Sequence, residues 1–249
     1  MASIRLDHVS VLFPIYNGTS RSLKNRLIAA GTGGRIGADG TRHVVVQALS
    51  DVSTDIVHGD RVALVGRNGA GKTTLLRVMA GIYEPADGNV IIEGQVAPLF
   101  DVSLGMDPES TGYENILLRG LYLGLSKAEV AVKIEEIADF TELGTFLEMP
   151  LRTYSAGMHA RLAFAISTCI EPEILLLDEG IGAGDEAFLE KARHHIDAFV
   201  QRAGILVLAS HSEQLVQQLC SRAILLDQGR IIAAGSINEV FEKYRQAAA

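Results

Sequence analysis

One nonapeptide, GRNGAGKTT at Gly66 to Thr74, limits the folds open to this chain more than any other feature. It follows the apolar run RVALVG and runs into KTTLLRVMAGIY, so it reads as strand, glycine-rich turn and helix, with Gly81 and Pro85 ending the helix. The glycines let the backbone of Gly66, Arg67, Asn68, Gly69, Ala70 and Gly71 turn its N–H groups inward around phosphate oxygens. The helix that follows adds its orphan amides and the positive end of its dipole. Lys72 is expected to reach the β- and γ-phosphates of a nucleotide as a point charge. The Thr73 hydroxyl, with Thr74 beside it, is expected to meet a bound Mg2+.

The rest of the chain alternates short apolar runs with helical periodicity, the mark of an α/β fold with a mainly parallel sheet. Before the loop, short strands are expected at Ile4 to Val11, Val44 to Ala48 and Ser50 to Ile56, forming an N-terminal antiparallel β subdomain. A glycine-rich, basic excursion at residues 16–42 interrupts them. Within it SLKNRLIAA suits a short amphipathic helix and GTGGRIGADG, with five glycines in ten residues, a flexible loop. After the loop, ADG turns the chain into the strand NVIIEG. Residues 101–153 then form an inserted helical subdomain, with helices at Tyr113 to Leu123 and after a capping box at Ser126 and Glu129. A helix from Gly157 to Thr168 stops before Pro172. It is followed by the buried strand ILLL, a helix at Asp185 to Arg202, the strand ILVLAS, the helix SEQLVQQLC, the hairpin AILLDQGRIIAAG and a helix capped by Ser236 and Glu239. Residues 1–100 and 154–249 are expected to form the core.

Of 249 residues, 22 are Lys or Arg and 30 Asp or Glu, giving a net charge of −8 with no basic block. Coating nucleic acid requires a basic face, so that class is excluded. The first residues alternate like a strand and lack the apolar core of a signal peptide. No apolar run approaches the roughly 18 residues of a membrane span. Cys169 and Cys220 are far from any C-x-x-C spacing and are expected as buried thiols in a reducing compartment. His194 and His195 are adjacent on a helix, point apart, and are expected at the surface.

The remaining chemistry collects at strand ends. ILLLDE places Asp178 and Glu179 at the C-terminal end of a buried strand, where ligands of a parallel sheet bind. Asp178 is expected to hold Mg2+, and Glu179 to orient and deprotonate the attacking water. His211, after ILVLAS at the same edge, is placed to touch a γ-phosphate.

YSAGM at Tyr154 to Met158, followed by HARLAFAIST, resembles the LSGGQ signature of ATP-binding cassette (ABC) ATPases. Ser155 and Asp178 stand 23 positions apart (178 − 155), the interval of that family, and GAGD ending in Asp185 sits where it has its D-loop. The resemblance covers nearly the whole chain and implies a P-loop NTPase with a RecA-like core, using ATP and Mg2+. It further implies a head-to-tail homodimer in which Ser155, Ala156, Gly157 and Met158 of one copy close on the γ-phosphate held by Lys72 of the other. The adenine would stack on an aromatic just after the first strand, where both Phe13 and Tyr16 stand.

Departures narrow the branch. Met158 replaces Gln, Ala156 and Gly180 replace Gly and Pro, and Asp101 takes the Q-loop glutamine's place, there either to ligate Mg2+ through water or to face solvent. The combination of YS-x-GM, RLAFA and PE-x-TG-x-ENI looks like the nucleotide-binding subunit of exporters of O-antigen, capsule and teichoic acid. That likeness implies a separate membrane permease moving a lipid-linked glycan, with the ATPase on the cytoplasmic face of the membrane and the permease seated near residues 101–125. Some members of that branch carry a C-terminal glycan-binding domain, expected to be absent here. A lipid, drug or small-solute ABC transporter would share every catalytic residue. A soluble ABC ATPase acting on DNA or ribosomes would call for a coiled coil, a second cassette or a basic face.

Overall fold

The computed structural model describes residues 1–15, 36–38, 44–100, 105–169, 172–178 and 199–248. Two compact units are present, Met1–Glu93 with Val207–Ala249, and Gly94–Leu206. The first unit opens with β1 (Ser3–Ile15), β2 (Ile36–Ala38), β3 (Val44–Val57), β4 (Arg61–Val65), α1 (Lys72–Met79) and β5 (Asp87–Glu93). Four of these strands form an antiparallel sheet in the order β2-β3-β1-β5.

β3 is one strand of 14 residues, where a break near Leu49 was expected. The reason is a pair of facing bulges. His8 and Asp51 both take left-handed backbone (φ 51° and 56°), and each shifts the inward phase of its strand by one residue. Ile4 and Leu6 point inward before His8, Val9 and Val11 after it. Leu49 is buried before Asp51, Val52 and Ile56 after it. His8 Nδ1 and Asp51 Oδ1 meet at 2.6 Å across the bulge. β2 lies inside the stretch expected to be a loop: Ile36–Ala38 pair antiparallel with Val44–Val46 because β3 offers them an open edge. The expected helix SLKNRLIAA lies outside the described residues.

The second unit holds β6 (Val96–Pro98), α2 (Gly112–Tyr122), α3 (Lys127–Thr141), 3-10 turns at Gly144–Glu148 and Leu151–Thr153, α4 (Ala156–Thr168) and β7 (Ile174–Asp178). β6 runs parallel to β7, from Val96 opposite Ile174 to Pro98 opposite Leu176. α2 and α3 each start in a complete capping box, Thr111 with Glu114 and Ser126 with Glu129. α4 is buried on every side from Leu162 to Ile166, as its lack of a polar stripe requires. Arg119 of α2 is 1% exposed and donates from Nε and Nη2 to the Ser167 hydroxyl of α4 at 3.2 and 2.8 Å.

The units divide within β8 (Ile205–Ala209). Beyond it the first unit continues with α5 (Glu213–Leu219), β9 (Arg222–Asp227), β10 (Arg230–Gly235) and α6 (Ile237–Ala248). β9 pairs parallel with β4 and antiparallel with β10. Gln228 and Gly229, both at positive φ, make the two-residue turn that the hairpin sequence implied. Val62 to Val65, Ile174 to Leu177 and Ile205 to Ala209 are buried without alternation, as strands covered on both faces must be. Cys169 and Cys220 cap helix C-termini half-buried, rather than lying on buried faces as expected; partial burial still lifts their thiols to about 11 and about 12, so both stay protonated. Among the described residues, no helix is long and apolar enough to cross a membrane.

Candidate nucleotide site

The loop between β4 and α1 is shaped by close backbone approaches that only glycine allows. A Cβ on Gly66 would sit 2.3 Å from the Leu226 carbonyl oxygen of β9. Gly71 is the N-cap of α1 at φ 110°, and a Cβ there would meet Leu49 and the Ala48 carbonyl at 3.0 and 3.1 Å. No side chain caps α1, and Leu75 N–H closes its first turn on Gly71 O at 2.8 Å; a helix N-terminus at a glycine-rich turn carries the positive end of the dipole, which favours an anion. Lys72 Nζ donates to the Gly66 and Arg67 carbonyls at 2.7 and 3.2 Å, which fixes the ammonium over the loop. Arg67, Asn68, Gly69 and Thr73 are exposed, Ala70 is buried and Thr74 half-buried.

The β9–β10 turn holds the loop from beneath. Gly229 N–H donates to Ala70 O at 2.8 Å, and its carbonyl accepts from Ser50 N–H at 2.8 Å. A Cβ on Gly229 would lie 2.5 Å from Ala48 O. This buttress, far away in sequence, carries no local signal that motif reading could use. His211 also belongs to the first unit. It is exposed between β8 and Ser212, the N-cap of α5, while Ser210 N–H bonds to Leu64 O of β4 at 3.2 Å.

Phe13, half-buried near the end of β1, meets Tyr83 edge-on, with ring centroids 5.1 Å apart and planes at 72°. In the sequence Tyr83 stands merely at the tail of the apolar helical run after the loop. Instead α1 closes at Ala80 in a Schellman turn, with Gly81 at φ 70° and Ile82 N–H bonded to Arg77 O. Tyr83 is thereby turned back toward Arg77, whose Nη1 donates to the Tyr83 hydroxyl at 3.1 Å.

The second unit carries Asp178, half-buried at the C-terminal end of β7, and the segment from Ser155 to Met158 at the start of α4. Ser155 is the N-cap; its Oγ accepts from Met158 N–H at 3.2 Å, which leaves its hydroxyl proton to donate outward. Ser155 and Ala156 are exposed, Gly157 and Met158 half-buried. Tyr16, Asp101, Glu179, Gly180, Asp185 and the His194–His195 pair lie outside the described residues.

Two of the branch-specific sequence patterns turn out to be one piece of structure. The Tyr154 hydroxyl donates to Phe146 O at 2.7 Å and lies 2.4 Å from where a Gly112 Cβ would be, so a tyrosine before the signature serine requires the glycine of PE-x-TG. Asn115, fully buried, donates to the Asp107, Ser110 and Thr111 carbonyls and accepts from Asp107 N–H. Leu151 and Arg152 N–H groups bond to Ser110 and Pro108 carbonyls, seating the segment before α4 on this knot. Burial raises the Tyr154 phenol above its ordinary value, keeping it a neutral donor. His159, one turn into α4, is held below its ordinary value by burial and by Arg119.

The ABC transporter family model matches residues 49–182. The O-antigen export system ATP-binding protein RfbE of Yersinia enterocolitica is 49% identical over 231 residues, covering 93% of this chain and 97% of that protein. The corresponding RfbB of Klebsiella pneumoniae is 37% identical over 99% of this chain and 98% of its own length. The teichoic acids export ATP-binding protein TagH of Bacillus anthracis is 35% identical over 97% of this chain, which spans only 42% of that longer protein. In fold, the chain is similar to an ATP-binding subunit of an ABC transporter (TM-score 0.68, 21% identity, covering 99% of this chain and 95% of that one). It is also similar to a dimeric ATP-binding cassette bound to ADP and Pi (TM-score 0.66, 20% identity, covering 94% and 98%). The α/β expectation is thus met by parallel strands, an antiparallel sheet and helices in the arrangement of solved cassettes. With a family match over more than half its length and a relative of 49% identity spanning nearly all of it, the chain belongs to the ABC transporter family.

Proposed function

We propose that the chain is the ATP-hydrolysing motor subunit of an exporter that drives lipid-linked polysaccharide through a separate membrane permease. The observation that carries this reading is the 49% identity to an O-antigen export ATP-binding protein along almost the whole chain. The glycine-rich turn, the positive dipole end of α1 and the Lys72 ammonium held over the loop supply the matching chemistry for binding ATP phosphates. Thr73, exposed in the first turn of α1, and Asp178, at the end of β7, are oxygen donors of the type Mg2+ takes and would hold it; Asp101 is the further candidate. Bound Mg2+ neutralises charge on the β- and γ-phosphates. Glu179 accepts the proton of the attacking water, and His211 donates to the γ-phosphate.

Two copies assemble head to tail. The Ser155 hydroxyl and the α4 N-terminus of one copy, with Asp185 near the dimer seam, close on the γ-phosphate bound by Lys72 of the other. Loss of that phosphate removes the contacts favouring closure, so hydrolysis reopens the dimer. The chain works as one ABC ATPase domain, with core at residues 1–100 and 154–249 and a helical subdomain at 101–153. The permease sits on the latter near residues 101–125, at the cytoplasmic face of the membrane. Tyr113, Leu118, Leu121 and Tyr122 support this placement, being 39–49% exposed along α2. Of the proposed insertion at residues 16–42, Ile36–Ala38 form β2 at the edge of the antiparallel sheet.

Purified protein tests the motor reading. Wild type should hydrolyse ATP in a Mg2+-dependent manner. Glu179→Gln should bind ATP without turnover and accumulate as a dimer on size exclusion, and Lys72→Ala should lose ATP affinity. An unchanged rate in Glu179→Gln would remove the base from the mechanism.

A further inference from the structure

We infer that Tyr83 and Arg77 are positioning residues for the nucleotide base: together they fix the Phe13 ring on which that base stacks. This inference rests on the nucleotide-binding reading above. Three observations lead to it. The first is the contact itself. An edge-to-face pair occupies at most one face of either ring, so Tyr83 steadies Phe13 while leaving the phenylalanine at least one face for a planar partner. Phe13 is also only half-buried, at the end of a strand whose core side chains, Ile4, Leu6, Val9 and Val11, are nearly inaccessible.

The second is that Tyr83 has little freedom of its own. The Schellman turn after α1 sets its backbone, with its N–H bonded to Arg77 O at 3.3 Å. Arg77 then holds the side chain twice over: Nη1 donates to the phenol oxygen at 3.1 Å, and the guanidinium carbon stands 5.6 Å from the ring centroid. The third is connectivity. Lys72 and Arg77 belong to the same eight-residue helix, which rises about 12 Å from the phosphate loop to the aromatic cluster. The ring is therefore referenced to the phosphate site through one rigid element. Ala86 N–H, bonded to Ser10 O at 2.8 Å, ties the segment after Tyr83 back to β1.

A residue that only supports the fold would alter every ligand equally, whereas one that orients a base platform alters only ligands with a base. The test is a comparison of ATP and inorganic triphosphate binding, by calorimetry, on the full chain and its variants. Tyr83→Leu should weaken ATP binding roughly two- to tenfold, the worth of an aromatic edge contact, and leave triphosphate unchanged. In Phe13→Ala, adding Tyr83→Leu should cause no further loss, because the two act through one ring. If Tyr83→Leu fails to fold, Tyr83→Phe decides. It keeps the ring but loses the Arg77 bond, and should bind ATP about twofold more weakly with triphosphate unaltered. Equal ATP affinity in Tyr83→Phe and wild type would then overturn the inference. Parallel weakening of ATP and triphosphate in Tyr83→Leu would also overturn it, as would a Phe13→Ala variant with normal ATP affinity beside a weakened Tyr16→Ala. A wild-type chain that binds neither ligand would overturn the nucleotide reading and this inference together.

Discussion

The three loop glycines differ sharply in what surrounds them, and replacing each with alanine should give a graded series. At Gly69 (φ 79°) a methyl group meets nothing within 4 Å, so Gly69→Ala bears only the left-handed backbone penalty of about 1 kcal/mol. At Gly71 (φ 110°) the same penalty is joined by contacts at 3.0 and 3.1 Å with Leu49 and Ala48, tight but open to a small shift, for a total near 2 kcal/mol. At Gly66 (φ 155°) the methyl carbon would lie 2.3 Å from a β9 carbonyl oxygen. That atom is β9 backbone, one residue beyond the last pair with β4 and paired with Ile231 of β10, so relief requires the loop to lift off β9, at about 3 kcal/mol or more. In a chain of this size 1 kcal/mol moves the melting midpoint by roughly 2–4 °C. Calorimetric scans should therefore order the midpoints wild type, Gly69→Ala, Gly71→Ala, Gly66→Ala, with the last lowered by roughly 6–12 °C. Equal midpoints for Gly66→Ala and Gly69→Ala would refute the claim that β9 fixes the loop.

Ser167→Ala removes the acceptor of two N–H groups on a buried guanidinium, and urea unfolding should show a loss of about 1.5–3 kcal/mol; a loss under 0.5 kcal/mol, of the order of a surface change, would show that Arg119 does not depend on it. Thr111→Ala breaks the α2 capping box and should cost about 1 kcal/mol by the same assay. His8 has its pKa raised above 6.5 by the hydrogen bond to Asp51 and then by the charges of Asp51 and Asp7. Because the folded state holds that proton more tightly, the stabilisation is complete below about 6.5 and disappears as pH rises through the folded-state value. Asp51→Asn, whose side chain tolerates φ 56°, should lower the melting midpoint at pH 5.5 and converge on wild type at alkaline pH; a gap that widens with pH would contradict the pairing.

Much of the fold was legible because its signals are local. ILLL and ILVLAS announce strands buried on both faces by lacking any alternation, and Ser126 with Glu129 marks a helix start by a spacing of three. The features that escaped depend on partners far along the chain. β6 is three residues ending in proline, and it is a strand only because β7 lies beside it. The split expected in β3 came from a phase change at Asp51 that is a bulge, facing another at His8 some 43 positions away. At the site, the phosphate loop could be read residue by residue, but its support by Gly229 and the Phe13, Tyr83 and Arg77 cluster arises from packing between elements. Tyr154 and Gly112 stood in two separate patterns, and only their contact explains why both are needed.

The most direct test of the central claim is to replace the chromosomal copy with Glu179→Gln in the organism that carries it and to follow its lipid-linked glycan. The glycan should disappear from the cell surface and accumulate, still attached to its lipid, on the cytoplasmic side. Normal surface glycan, with the variant protein present at wild-type level, would contradict it.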